Sequence, residues 1–210
     1  MSMSFEVFPT KIKKPECDEI IKYSVQLFKE FMKKEKISQG IDITTREVSA
    51  DNSVHANPLS LVAKENCYTV FNLNEEGEVY VFYHELTELD KEFWNEEAQV
   101  NKNVQFMKEK IEANLEIGYS WSVKRTMGQP AIVSLYYGYL AIAIAVITDG
   151  MIYSGDGAWD YSCFPIAGSA FEEEYLNIDK VRDITVKQNI EKWLDALKVL
   201  FADESDHSIK

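Results

Sequence analysis

The sequence has few residues of the kinds that usually carry cross-links or catalysis. Its three cysteines are an odd number and widely spaced, and they form no Cys-x-x-Cys pair. Neither a disulfide framework nor a zinc site is therefore favoured, and a reducing cytoplasm fits best. The three histidines do not lie at metal-ligand spacing. These residues are Cys17, Cys67, Cys163, His55, His84 and His207.

Known catalytic and phosphate-binding motifs are also missing from the sequence. The nine glycines are scattered and form no phosphate-binding loop, and there is no GxSxG motif. His84-Glu85 does not begin a HExxH motif, because position 88 is Glu88. Asp149, Asp156 and Asp160 do not match the spacing of an EF-hand loop, and a tight turn explains them more simply. We predict no catalytic residue, no cofactor and no metal site.

Long apolar runs are nearly absent. The first residues contain no stretch of signal-peptide length, so no secretion is expected. From Ala131 to Thr148, 18 residues pass without a charge, which is the lower limit for a membrane span. Three tyrosines, a serine, a glycine and a threonine dilute this stretch. A helix buried at the centre of the domain is the favoured interpretation, with no membrane contact and a cytoplasmic location.

Basic residues are in short supply relative to acidic ones. There are 35 acids and 22 bases, which gives a net charge of −13. The excess is uneven: residues 65–99 hold ten acids and one base, and residues 150–210 hold twelve acids and six bases. Direct binding of nucleic acid is disfavoured, because phosphate contacts need lysine and arginine. A negative surface that attracts a basic protein is one interpretation, and a solvated face is the other.

The pattern of apolar residues predicts a single domain over residues 1–210, with a frayed tail at 203–210. The fold class is α+β: an antiparallel sheet with a β-hairpin, packed around a buried apolar helix and flanked by amphipathic helices. Residues 41–45 are a weaker candidate for a strand, and 49–58 are expected to be a loop. Strands are predicted at 4–8, 67–73, 78–86, 119–125 and 151–154, and helices at 15–34, 91–114, 131–148, 171–176 and 185–201.

Two adjoining segments carry a resemblance to a known family. They are GYSWSVKRTMGQPAIVSLYYGYLA at 118–141 and YSGDGAWDYSCFP at 153–165. Together they resemble immunity proteins of bacterial polymorphic toxin systems, although Gly155 stands where that pattern has an aspartate. The resemblance implies a small cytoplasmic α+β protein that neutralises a cognate toxin by binding it.

The charge distribution agrees with such an inhibitor. Many toxins are basic nucleases, and a protein that presents carboxylates in place of phosphates gains both fast association and competition with the substrate. The first hypothesis is therefore an acidic cytoplasmic inhibitor of a basic toxin. An enzyme using carboxylates and tyrosines is the alternative from another class, and an adaptor of a phage or secretion system is the third.

Two segments are predicted to contact the partner. The first is the acidic segment after the hairpin, where aromatic residues are interleaved with acids, the composition of a binding hot spot. The competing interpretation is that Phe93 and Trp94 pack beneath the hairpin. The second is the loop at 155–161. The predicted contact residues are Glu85, Glu88, Asp90, Glu92, Trp94, Glu96, Glu97, Asp156, Trp159 and Asp160.

Overall fold

The structure is a computed structural model that describes the backbone of residues 2–38 and 40–206. Burial is described for the side chains of residues 3–38 and 40–199. The first half of the chain forms β1 (Ser2–Phe8), α1 (Cys17–Lys34), β2 (Ile43–Val48), β3 (Val54–Ala56), β4 (Tyr68–Leu73), β5 (Gly77–Glu85) and α2 (Glu88–Val100). The second half forms α3 (Lys102–Phe106), α4 (Lys108–Ile117), β6 (Tyr119–Thr126), α5 (Ala131–Ile147), β7 (Met151–Tyr153), β8 (Ile166–Ala167), α6 (Gly168–Glu174) and α7 (Ile184–Asp206).

All eight strands belong to one antiparallel sheet. Their order is β3-β2-β4-β5-β6-β1-β7-β8. The predicted hairpin is present, with Tyr68 of β4 opposite Phe82 of β5. Strand β1 lies between two strands from much later in the chain, with Val7 opposite both Trp121 and Ile152. The predicted α+β class with an antiparallel sheet is confirmed.

One face of the sheet, the inner face, packs against α5. The ring centroids of Phe5 in β1 and Tyr137 in α5 lie 4.9 Å apart. Helices α1, α6 and α7 contact other sides of α5, so this helix is enclosed, and most of its residues are buried. Its apolar composition on all sides suits this position. At Gly138 the ring of Tyr175 lies so close that a Cβ atom would come within 2.1 Å of it.

Helices α2, α3 and α4 cover part of the opposite, outer face. Side chains alternate along a strand, so Phe8 of β1 and the mutually paired Glu6 and Tyr153 point away from α5. Trp94 of α2 packs against this face, with its ring centroid 5.2 Å from Phe8 and 5.6 Å from Tyr153. The outer face is therefore covered near β1 and β7.

Several predicted boundaries are wrong. The single helix predicted over 91–114 is three helices beginning at Glu88, because Asn101 has an extended backbone and its side-chain oxygen accepts the N–H of Asn103 at 3.0 Å. The loop predicted over 49–58 contains β3, which pairs with β2. Helix α1 begins after Pro15, whose carbonyl accepts the N–H of Leu61 at 3.0 Å.

The frayed tail expected at 203–210 stays a prediction. Helix α7 continues to Asp206, while residues 207–210 lie outside the described part of the chain. Within the described residues, no helix has both the length and the apolar character needed to cross a membrane.

Candidate partner-binding surface

Helix α2 begins with hydrogen bonds between Thr87 and Asp90. The Asp90 carboxylate accepts the Thr87 backbone N–H at 2.6 Å and the Thr87 hydroxyl at 2.8 Å. These contacts satisfy groups that are otherwise unpaired at a helix start. Asp90 was predicted to contact a partner, but its carboxylate is already engaged in starting the helix.

An exposed acidic row runs along α2 and consists of Glu88, Glu92 and Glu96. Residues four apart lie on one side of a helix, and all three side chains are exposed. Glu88 accepts a hydrogen bond from Lys91 at 2.7 Å, a surface pair that contributes little to stability. The acidic row brings together three of the predicted contact residues at the surface.

Glu85 and Glu97 lie at either end of this region. Glu85 is exposed at the end of β5, and its backbone N–H donates to Glu65 at 2.6 Å. Glu97 is half-buried and accepts hydrogen bonds from the Tyr161 hydroxyl at 2.8 Å and the Asn101 side chain at 3.2 Å. The Tyr161 contact joins α2 to the 155–161 loop, so the two segments predicted as partner contacts are neighbours.

Trp94 is not an exposed hot-spot residue. Only 3% of its surface is exposed, because it is packed between α2 and the outer face of the sheet. Phe93 beside it is half-buried and contacts Tyr153 at 5.3 Å between ring centroids. The competing interpretation placed both rings beneath the β4–β5 hairpin. The two rings do pack against the sheet, but on β1 and β7 and not on the hairpin.

The 155–161 loop also turns its two largest predicted contacts inward. Trp159 is 4% exposed, and its ring centroid lies 4.8 Å from that of Tyr175. Asp160 is 7% exposed and accepts backbone N–H groups of Arg182 at 2.6 Å and Asp183 at 3.1 Å. As surface contacts, Trp159 and Asp160 are therefore corrected: they hold the loop and the start of α7 in place.

Asp156 is the exposed carboxylate of this loop. It accepts the backbone N–H of Ser4 at 2.7 Å and the Ser4 hydroxyl at 2.9 Å, and Ser154 donates to its second oxygen at 3.1 Å. It links the turn after β7 to β1. Because its oxygens already accept several hydrogen bonds, Asp156 contributes to the negative surface mainly through its charge.

Cys17 and Cys163 are poor nucleophiles, because the pKa values of their thiols are raised. Burial, assisted by nearby carboxylates, raises the pKa of both Cys17 and Cys163 to about 12. A thiol must ionise to attack, so neither is activated at neutral pH. No cluster of three or more histidine, cysteine, aspartate or glutamate side chains suited to a metal ion occurs among the described residues.

The part of the outer face near β4 and β5 carries an aromatic row that the sequence analysis did not single out. Its members are half-buried, and none has an aromatic contact or side-chain hydrogen bond to a helix within the described residues. Neighbouring ring centroids are 5.0 to 6.5 Å apart, and Lys124 lies 5.4 Å from the Phe82 ring centroid. The aromatic row consists of Tyr68, Tyr80, Phe82 and His84. Strict alternation in β5 was the signal that could have revealed it.

Comparisons of this chain with protein-family models, with curated proteins and with solved structures find no match.

Proposed function

We propose that this chain is an acidic cytoplasmic binding protein that neutralises a basic toxin, as immunity proteins do. The observation that carries the proposal is the acidic row on α2. Its three carboxylates stand at the surface on a helix that is anchored to the sheet by Trp94. A rigidly held row of like charges attracts an oppositely charged protein and orients it during the encounter.

A basic nuclease is the toxin class that fits this surface best. The active site of such an enzyme attracts phosphates, so a row of carboxylates competes for the same cations. The chain's net charge of −13 extends the attraction beyond the immediate contact. Inhibition then needs only binding, in keeping with a protein in which we identify no activated nucleophile.

The test is a charge reversal at Glu88, Glu92 and Glu96, each changed to lysine. The control reverses Asp18, Glu191 and Asp195, which are exposed acids on α1 and α7 beyond the other face of the sheet. Both variants change the net charge equally, so they separate a local effect from a global one.

The partner to test first is the product of the neighbouring gene. We expect co-expression of this chain to protect cells from it, and the control variant to protect as well. The α2 variant should associate at least about tenfold more slowly at low salt, and high salt should narrow the difference. Equal association rates for the α2 variant and the control would refute the acidic row as the binding surface.

A further inference from the structure

A groove runs between α2 and α4 beside the acidic row. Its volume is about 330 Å³, which is within the range of pockets that hold ligands. The apolar part of its wall is formed by Trp94, Ala98, Val104, Ile111 and Leu115. Trp94, Val104 and Ile111 are buried, whereas Ala98 is exposed. The groove is therefore an apolar depression with an open side.

The helices around this groove expose other apolar side chains. Leu89 and Val100 at the two ends of α2 are 73% and 80% exposed, and Phe106 in α3 is 81% exposed. None of these three residues lines the groove, and single exposed apolar residues are common on protein surfaces.

Trp94 forms part of the groove wall, and its side chain is almost fully buried. Its indole N–H is buried and has no acceptor among the described residues. Buried tryptophan N–H groups usually have a hydrogen-bond partner, and leaving one without a partner costs about 1–3 kcal/mol. Because this nitrogen is buried, an occupant of the groove contacts the indole ring and not the N–H.

The charges around the groove indicate which sign of charge its occupant carries. Residues 88–117 hold eight acids and four bases. The two lysines of the rim already form ion pairs, Lys91 with Glu88 at 2.7 Å and Lys108 with Glu112 at 3.7 Å. An approaching segment therefore meets an excess of carboxylates, and basic flanks favour its binding.

We infer that this groove receives an apolar side chain from an amphipathic, basic segment of the partner. This assignment rests on the proposed function and specifies the chemistry of the partner. Binding of an amphipathic helix in an apolar groove is a common mode of peptide recognition.

The probe is a synthetic amphipathic helix of leucine and lysine, compared with a peptide of the same composition in scrambled order that has no apolar face. The chain is labelled with fluorotryptophan, and its four tryptophans give separate fluorine NMR signals. The variant Trp94→Phe identifies the Trp94 signal. The amphipathic peptide should shift that signal at physiological salt, and the scrambled peptide should not.

A groove-filling substitution tests the same assignment without changing charge. Ala98→Trp places a ring over the groove, and Ala196→Trp makes the same change at an exposed alanine of α7. We expect Ala98→Trp to weaken peptide binding by at least about tenfold, with Ala196→Trp equal to the wild type. Equal binding by Ala98→Trp, an unmoved Trp94 signal, or equal shifts with both peptides would each overturn the assignment.

Further outcomes distinguish a failure of the groove assignment from a failure of the proposed function. If Ala98→Trp does not fold, the groove assignment is tested by the wild-type chain alone, through the shifts of the Trp94 signal that the amphipathic and the scrambled peptide produce. If the α2 charge reversal slows association with the toxin but the peptide leaves Trp94 unmoved, the groove assignment fails and the proposed function stands. If the peptide binds as expected but charge reversal has no effect on toxin association, the acidic row fails as the toxin-binding surface, and if co-expression gives no protection, the proposed function fails.

Discussion

The two halves of the outer face of the sheet use similar residues in different ways. Near β1 and β7, Phe8 and Tyr153 are buried beneath Trp94 of α2. Near β4 and β5, the aromatic row lies in the same sheet but is half-buried, and its rings have no aromatic contact with a helix in the described residues. We call these the covered half and the open half.

The difference separates residues that stabilise the fold from residues free to serve another purpose. Burial of a large aromatic ring contributes several kcal/mol, whereas a cross-strand pair on an open face contributes about 0.2–1 kcal/mol. The covered half therefore holds α2, and with it the acidic row, in place. The open half contributes less to the stability of the fold.

The largest effect is expected in the covered half. Trp94→Ala should lower the free energy of unfolding by about 3–5 kcal/mol, because it empties a site shared by α2 and the sheet. Urea denaturation measures this change. Trp94→Phe keeps most of the contact and should cost clearly less. A loss below about 1 kcal/mol for the alanine variant would mean that α2 is not anchored through this residue.

A smaller effect is expected from the matching change in the open half. Phe82→Ala should lower the free energy of unfolding by about 1 kcal/mol or less, since it removes only cross-strand contacts and a cation–π contact with Lys124. The same urea experiment applies. If Phe82→Ala proved as destabilising as Trp94→Ala, the distinction between the two halves would be lost.

The border between the halves should show a pH dependence through Glu6. Burial raises the pKa of this carboxyl above the ordinary value of 4.5, although Ser122 donates a hydrogen bond to it. The folded state then binds the proton more tightly than the unfolded state. Stability contributed by this group is greatest below pH 4.5 and decreases as pH rises through the folded pKa. Glu6→Gln should therefore stabilise the protein more at neutral pH than at pH 4.5.

Glu78 in the open half is the matched control with the opposite sign. Burial opposes its ionisation, but hydrogen bonds from Arg46 and Tyr80 and the charge of Arg46 outweigh burial and lower its pKa. Its contribution is present above pH 4.5 and is lost as pH falls through the folded pKa. Glu78→Gln should destabilise the protein at neutral pH and have less effect in acid. Parallel pH dependences for the two variants would contradict these assignments.

The smallest effect is expected at His84, at the end of the aromatic row. His84→Ala should change the free energy of unfolding by no more than about 0.5 kcal/mol, as for most surface substitutions. If the proposed function holds, protection against the toxin should be unchanged, because the acidic row lies elsewhere. If a folded His84→Ala protein no longer protected cells, the alternative hypothesis that this chain is an enzyme would be favoured.

The sequence predicted the elements whose pattern is local. The β4–β5 hairpin follows from alternating valine and aromatic residues, and α5 from an uncharged run between Pro130 and Asp149. Strand β3 was missed because its three residues are all exposed, so no apolar face marks it. Thr87 and Asp90 mark the start of α2, yet the sequence prediction placed that helix three residues late.

The candidate site was predicted only in part, for a physical reason. Glu88, Glu92 and Glu96 are exposed as their spacing suggests, but the inward positions of Trp94 and Trp159 depend on contacts with Phe8 and Tyr175, which are distant in sequence. Periodicity shows which residues share a side of a helix. It does not show whether another element covers that side.

The central position of β1 has a consequence for synthesis of the chain. This strand is translated more than a hundred residues before its partners β6 and β7, because Val7 pairs with Trp121 and Ile152. Its hydrogen-bonding edges and apolar side chains therefore stay without their partners until β6 and β7 have been translated. Pairings between such distant segments fold slowly, and unpaired edges attract other chains in the meantime. Chaperone capacity during translation should limit the yield of this protein more than the stability of its finished fold.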